Sequence, residues 1–169
     1  MRASDPMIRV ADAEDEEGFD HARRLFRAYA AEHAATITEA LCFQGFETEV
    51  GGLPGRYAPP SGCLLLAMEG DRAAGCVAMR DLGGGTCEMK RLYVAPEFRG
   101  RGVGRLLVEE LIRRAERAGH HRMVLDTMPE MTGALALYRQ QGFVETTRYW
   151  DNSIDRTVYL EKWLGVRSR

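Results

Sequence analysis

Arg99-Gly100-Arg101-Gly102-Val103-Gly104-Arg105 sets three cations and three glycines in seven residues, just after the apolar run Leu92-Tyr93-Val94 and a turn at Ala95-Pro96. Where such a loop opens a helix, the first backbone N–H groups have no intrahelical partner, and the helix dipole adds partial positive charge. Glycines let the backbone curl and let an anion come close, and arginines add charge-assisted bonds. A diphosphate is the natural guest. A glycine-rich helix start with solvent-facing arginines leaves the same trace, so the flanking sequence has to decide. A P-loop ends in Gly-Lys-Ser/Thr, which is absent. A Rossmann site sits in a first strand–helix–strand unit with an acidic residue after the second strand, and Asp126 matches that acid poorly.

The elements around the motif follow from periodicity. Met7 to Val10 reads as a strand, and Phe19, Ala22, Leu25, Phe26 and Tyr29 recur at helical spacing. Thr38 to Val50 reads as a shorter helix, broken by Gly51 to Gly55. Cys63 to Met68, Ala73 to Arg80 and Cys87 to Val94 are strand-like runs joined by tight glycine turns, an antiparallel meander. Arg101 to Ala118 is a long helix with Val103, Leu107, Leu111, Ala115 and Ala118 on one face, and Arg122 to Asp126 is a strand. The length between Val94 and Asp126 favours a parallel crossover. A helix over Glu130 to Gln141 and strands over Phe143 to Arg148 and Thr157 to Trp163 complete a mixed α/β sheet with helices on both faces.

Arg99 to Gly104 resembles the R/Q-x-x-G-x-G/A signature of the GNAT N-acetyltransferase superfamily. Ala134-Leu135-Ala136-Leu137-Tyr138-Arg139-Gln140-Gln141-Gly142-Phe143 resembles its second signature, A-x-x-L-Y-x-x-x-G-F. The resemblance runs from about Met7 to Trp163. It implies a mostly antiparallel seven-stranded sheet splayed between strands 4 and 5. It also implies acetyl-CoA as cofactor, with Leu92, Tyr93 and Val94 along the pantetheine arm, and with Arg99, Gly100, Arg101, Gly102, Val103, Gly104 and Arg105 around the pyrophosphate. Many members carry Asn seven residues before the tyrosine. Here that position is Met131, so the contact is lost or comes from Thr127 or Thr132.

Transfer of an acyl group from a thioester to an amine poses two proton problems. Neutralising a lysine-like amine at pH 7 costs about 4.6 kcal/mol, and the thiolate leaving group benefits from a proton donor. By the resemblance, Tyr138 is the donor beside the sulfur, or else its ring packs beneath the cofactor. Glu88, on the fourth strand, is a candidate base in the place some relatives use. Alternation puts it on one face with Lys90, Leu92 and Val94 unless a bulge intervenes, and Lys90 could neutralise it instead. The Val94 N–H is the implied oxyanion donor. The acceptor pocket is expected around Leu41 to Phe46, Arg56-Tyr57, Asp126-Thr127 and Tyr149 to Asn152, and a small-molecule amine is the expected acceptor.

Composition bounds the alternatives. The 169 residues, 45% hydrophobic, suit one domain over residues 7–169 after a flexible stretch, 1–6. No apolar run approaches a membrane span, and no signal peptide is visible, so a cytoplasmic setting with free thiols is expected. Residues 1–50 hold 11 acids and 5 bases, and residues 88–122 hold 5 acids and 9 bases, so the centre suits an anion. With a pI near 6.1, nucleic-acid binding is not supported. Cys42, Cys63, Cys76 and Cys87 form no CxxC pair with histidine partners, so no metal site is expected, and His120 and His121 read as surface residues. Dimers are common in the resembled superfamily, which leaves a homodimer as an open expectation.

Overall fold

The computed structural model describes residues 7–35, 40–152 and 154–165, with the side chains of residues 40–44 outside the description. The order is β1 (Arg9–Asp12), α1 (Glu16–Glu32), α2 (Ala40–Gly51), β2 (Cys63–Glu69), β3 (Arg72–Gly83), β4 (Thr86–Val94), α3 (Val103–Arg117), β5 (Arg122–Thr127), α4 (Thr132–Gln140), β6 (Val144–Glu145) and β7 (Val158–Trp163). One seven-stranded sheet runs β1-β2-β3-β4-β5-β7-β6. Every pairing is antiparallel except β4 with β5. This is the mixed, mostly antiparallel sheet that the sequence implied.

The splay is there too. β4 pairs with β5 only where Thr86–Glu88 meets Arg122–Val124, and beyond that the two parallel strands separate. β4 also bulges. Its register against β3 slips between Lys90 and Tyr93, and Arg91 takes a φ of 62° there. Such a backbone strains a long side chain, and the surroundings must hold it. Glu49 does so, accepting from Arg91 Nε at 2.8 Å, while the guanidinium lies 5.2 Å from the Phe46 ring centre. Glu49 also accepts from Arg56 and from the Tyr57 hydroxyl, so the end of α2 is tied to the bulge.

Helices cover both faces. Consecutive residues of a strand point to opposite sides. Tyr93 meets Tyr29 of α1 edge-on at 6.3 Å, while a side chain on Gly75, the partner of Val94, would run into Leu107 and Val103 of α3. The same side chain would lie 2.6 Å from the Tyr93 carbonyl, so only glycine fits this crossing. The α3 face reads much as expected: Val103, Leu107, Val108, Leu111 and Ala115 are buried.

Two expectations are corrected. The strand expected from Phe143 to Arg148 is only Val144–Glu145. The Arg148 guanidinium bonds the carbonyls of Trp150 and Asn152 and so holds a loop instead. His120 is buried, its Nε2 2.9 Å from the Ser61 carbonyl, and only His121 is exposed, stacked on Trp163.

Candidate active site

The splay opens a cleft of about 650 Å³. It is lined by Leu92, Tyr93 and Val94 of β4, by Arg99, Gly100 and Gly102 through Arg105, and by Glu130 to Ala134 at the start of α4. At its wide end Gly102 caps α3 with φ 77° and no side-chain bond, and Gly100 has φ 76°. No atom lies within 4 Å of where a side chain on either would begin, so the backbone there is open to an incoming group. The start of α3 therefore presents unpartnered amides in open space, a fit for a diphosphate.

The expected arginines are engaged with acids. Arg99 reaches Glu32 at 2.7 Å, Arg105 reaches Glu109 at 2.6 Å, and Arg101 pairs with Glu69 and lies over the Phe98 ring. Arg99 and Arg105 line the cleft. Arg101 does not, because its side chain turns to β2.

Past the bulge lies a second, smaller cavity of about 60 Å³, lined by Tyr29, Met89 to Leu92, Leu125 to Thr127, Met131 and Tyr138. Leu92 and Met131 line both spaces, so the cleft and the small cavity are neighbours there. Tyr138 is buried, its ring set edge-on against Phe143 at 5.9 Å. Among the described residues no hydrogen bond ties its hydroxyl down. Burial, with Tyr29 and Asp126 adding to it, raises its pKa, so the phenol keeps its proton. Thr127 lines the small cavity rather than the cleft, and its hydroxyl points to Met131 Sδ at 3.4 Å.

Glu88 lines neither space. It is 1% exposed and accepts from Arg80 Nε at 2.6 Å and from the Tyr149 hydroxyl at 2.6 Å. Burial would raise its pKa, but Lys90, Tyr149 and Arg80 outweigh it and hold the carboxylate below its usual range. A buried carboxylate kept charged by Lys90, Tyr149 and Arg80 suits anchoring better than proton transfer. Lys90 does line the small cavity, and burial lowers its pKa against the pull of Glu88.

Of the other expected acceptor-side residues, Asp126 lines the cavity and accepts from Trp150 Nε1 at 2.9 Å. Arg56 and Tyr57 are spent on Glu49. The side chains of Leu41 to Gln44 lie outside the described residues. Sequence reasoning missed Tyr29 and Met89 as lining residues, and it weighed Lys90 only as a neutraliser of Glu88. The bulge that brings the 89–92 stretch to the cavity leaves no local signal. Among the described residues no group of three or more His, Cys, Asp or Glu is arranged to hold a metal, and no helix is long and apolar enough to cross a membrane.

The sequence profile of the Acetyltransferase (GNAT) family matches residues 16–143. An uncharacterized N-acetyltransferase of Schizosaccharomyces pombe is 40% identical over 146 residues, 85% of this chain and 87% of the relative. An N-alpha-acetyltransferase of Arabidopsis thaliana is 28% identical over 155 residues, 85% of this chain and 80% of the relative. A GNAT-family acetyltransferase from Staphylococcus aureus superposes with a TM-score of 0.78 at 14% identity, over 94% of this chain and 100% of that one, a likeness of fold.

Proposed function

Because the chain belongs to the GNAT acetyltransferase family, we propose that it moves an acetyl group from acetyl-CoA to the amine of a small, amino-acid-like acceptor by direct attack on the thioester. The observation that carries this reading is that the two spaces share Leu92 and Met131, with the open start of α3 lining one and Tyr138 lining the other. The amides from Arg99 to Gly104 hold the pyrophosphate, joined by Arg99 and Arg105 once these release their acids. Leu92, Tyr93 and Val94 run beside the pantetheine arm, and the Val94 N–H is the oxyanion donor. Acetyl-CoA supplies the activated acyl carbon.

In the small cavity the acceptor, as the neutral amine after its ammonium has given one proton to solvent, forms the new C–N bond, and the C–S bond breaks. The Tyr138 hydroxyl gives its proton to the departing sulfur, and the proton shed by the nitrogen restores the phenol. Glu88 is assigned an anchoring role behind Lys90 rather than that of base. Residues 7–169 act as one domain, since one sheet takes strands from Arg9 through Trp163. A cytoplasmic setting suits the free, buried thiols of Cys63, Cys76 and Cys87.

The similarity to an N-alpha-acetyltransferase supports a second reading, a peptide amine as acceptor. Thiol release from acetyl-CoA over amines, amino acids and peptides separates the two. Turnover with small amines supports the first, and turnover with peptides alone supports the second. Tight CoA binding with silence across every acceptor would instead make the chain a CoA-binding module.

A further inference from the structure

The small cavity holds one cation whose bonding is incomplete. Lys90 has three donors on its ammonium, yet its recorded partner, Glu88 Oε1, stands 3.8 Å away, beyond hydrogen-bond range. That oxygen already accepts from Arg80, and Oε2 from Tyr149, and neither bond comes from Lys90. Among the described residues Lys90 has no other ion pair or hydrogen bond. Its side chain is only 20% exposed, and that exposure opens on the cavity shared with Tyr138 and Asp126. Glu88 and Asp126 attract its charge without hydrogen-bonding it, and a buried ammonium short of hydrogen-bond acceptors is costly, so the arrangement suits an added anion from outside.

The neighbouring cation does not compete for the same role. Arg91 is bound to Glu49 and lies over Phe46. On the same cavity wall Asp126 is the carboxylate, and Trp150 occupies only its Oδ2. An ionised carboxylate accepts about four bonds, so Asp126 retains capacity for an ammonium. The cavity measures about 60 Å³. A water needs about 10–15 Å³ of such space, so the cavity admits only a small head of several atoms.

A compact head that offers an anion to Lys90 and an amine to Asp126, beside Tyr138, is an amino group one carbon from a carboxylate. A polyamine would bring a second cation against Lys90, and a peptide N-terminus would bring a neutral amide. We propose that Lys90 binds the acceptor's carboxylate, which makes free amino acids or close amino-carboxylates the acceptor class. This rests on the acetyltransferase reading above and sharpens it.

The test compares free amino acids with their amides and methyl esters, together with simple amines and short peptides, as acceptors for the full chain with acetyl-CoA. The acids are expected to exceed their amides in kcat/KM by about tenfold to 100-fold, the worth of a hydrogen-bonded charge. Lys90→Met should raise KM for the acid and collapse that ratio, with KM for acetyl-CoA unchanged, and Lys90→Arg should keep part of it. Calorimetry of an amino acid added to the CoA-loaded chain should show binding that Lys90→Met loses. CoA binding by the variant serves as its test of folding, and the acid-to-amide ratio of the unaltered chain needs no variant. Equal turnover of acids, amides and amines overturns the role of Lys90 and leaves the acetyltransferase reading standing. Turnover confined to peptides overturns both the role and the small-molecule acceptor, and silence across all acceptors overturns the transfer reading as well.

Discussion

Arg99 Nε donates to the Val94 carbonyl at 3.0 Å, closing the last main-chain acceptor of β4 with a side chain from the loop that follows it. The same guanidinium reaches Glu32 at 2.7 Å and lies over the Tyr93 ring, whose hydroxyl also donates to Glu32. One guanidinium cannot serve this carbonyl, Glu32 and a phosphate together. Glu32, at the end of α1, adds negative charge to the cleft wall and, on the function proposed above, competes with the cofactor for Arg99. Glu32→Gln is expected to tighten CoA binding by about two- to fivefold, the worth of a partly exposed ion pair. Calorimetric titration with CoA checks it, and unchanged or weaker binding would remove Glu32 as a competitor.

Tyr138 offers a cleaner separation of binding from chemistry. Its ring packs on Phe143, and the residue lines the small cavity that shares Leu92 and Met131 with the cleft. Tyr138→Phe keeps the ring and deletes the donor. It should lower kcat by roughly 10² to 10⁴-fold, the usual contribution of a general acid, with KM for acetyl-CoA close to that of the unaltered chain. Steady-state kinetics with a productive acceptor decide it. An undiminished kcat takes the proton donor away from Tyr138.

The glycine-rich start of α3 and the place of Tyr138 on α4 were legible in the sequence because both are local: glycines in a helix's first turn, and an aromatic at a fixed place on the next helix. The splay was implied by the family resemblance, while the residues themselves pointed only to a parallel crossover after Val94. What stayed hidden depends on distant partners. Glu49 and Arg91 are 42 residues apart, yet their bond stabilises the bulge that carries Lys90 to the cavity. Arg101 looked equivalent to Arg99 and Arg105 until Glu69, on β2, drew it off the cleft. His120 looked exposed because nothing nearby in the sequence announces the Ser61 carbonyl that receives it.

Gly102 ties the cradle to backbone conformation. Its φ of 77° is left-handed, and open space surrounds the point where a side chain would start. Gly102→Ala would cost about 1–2 kcal/mol of strain without a collision, while on the function proposed above the added methyl stands in the diphosphate's path. The expected outcome is a modest fall in melting temperature and a larger loss of CoA affinity. Thermal unfolding with and without CoA checks both, because a bound ligand raises the midpoint in proportion to its affinity. A variant that keeps the full CoA-induced rise would place the pyrophosphate elsewhere.

Glu88 gives a prediction whose sign follows from its environment. Its pKa is held below the ordinary 4.5 by Lys90, Tyr149 and Arg80 despite burial. A carboxyl more acidic in the folded chain than in the unfolded one stabilises the fold above the unfolded value. That stability is lost as pH falls through the folded value. The window therefore lies below about pH 4.5. Removing one partner of a buried, bonded ion pair costs about 3–5 kcal/mol, so Glu88→Ala should lower the melting temperature by roughly 6–20 °C at neutral pH. Glu88→Gln keeps the shape and should flatten the acid limb of stability, since one titrating group is gone, though Glu49, also held low by its arginines, retains its own share. If Glu88 anchors rather than abstracts, Glu88→Gln keeps the shape of the kcat pH profile even where its stability differs. Loss of the basic limb of that profile, in protein shown to be folded, would return Glu88 to the role of base.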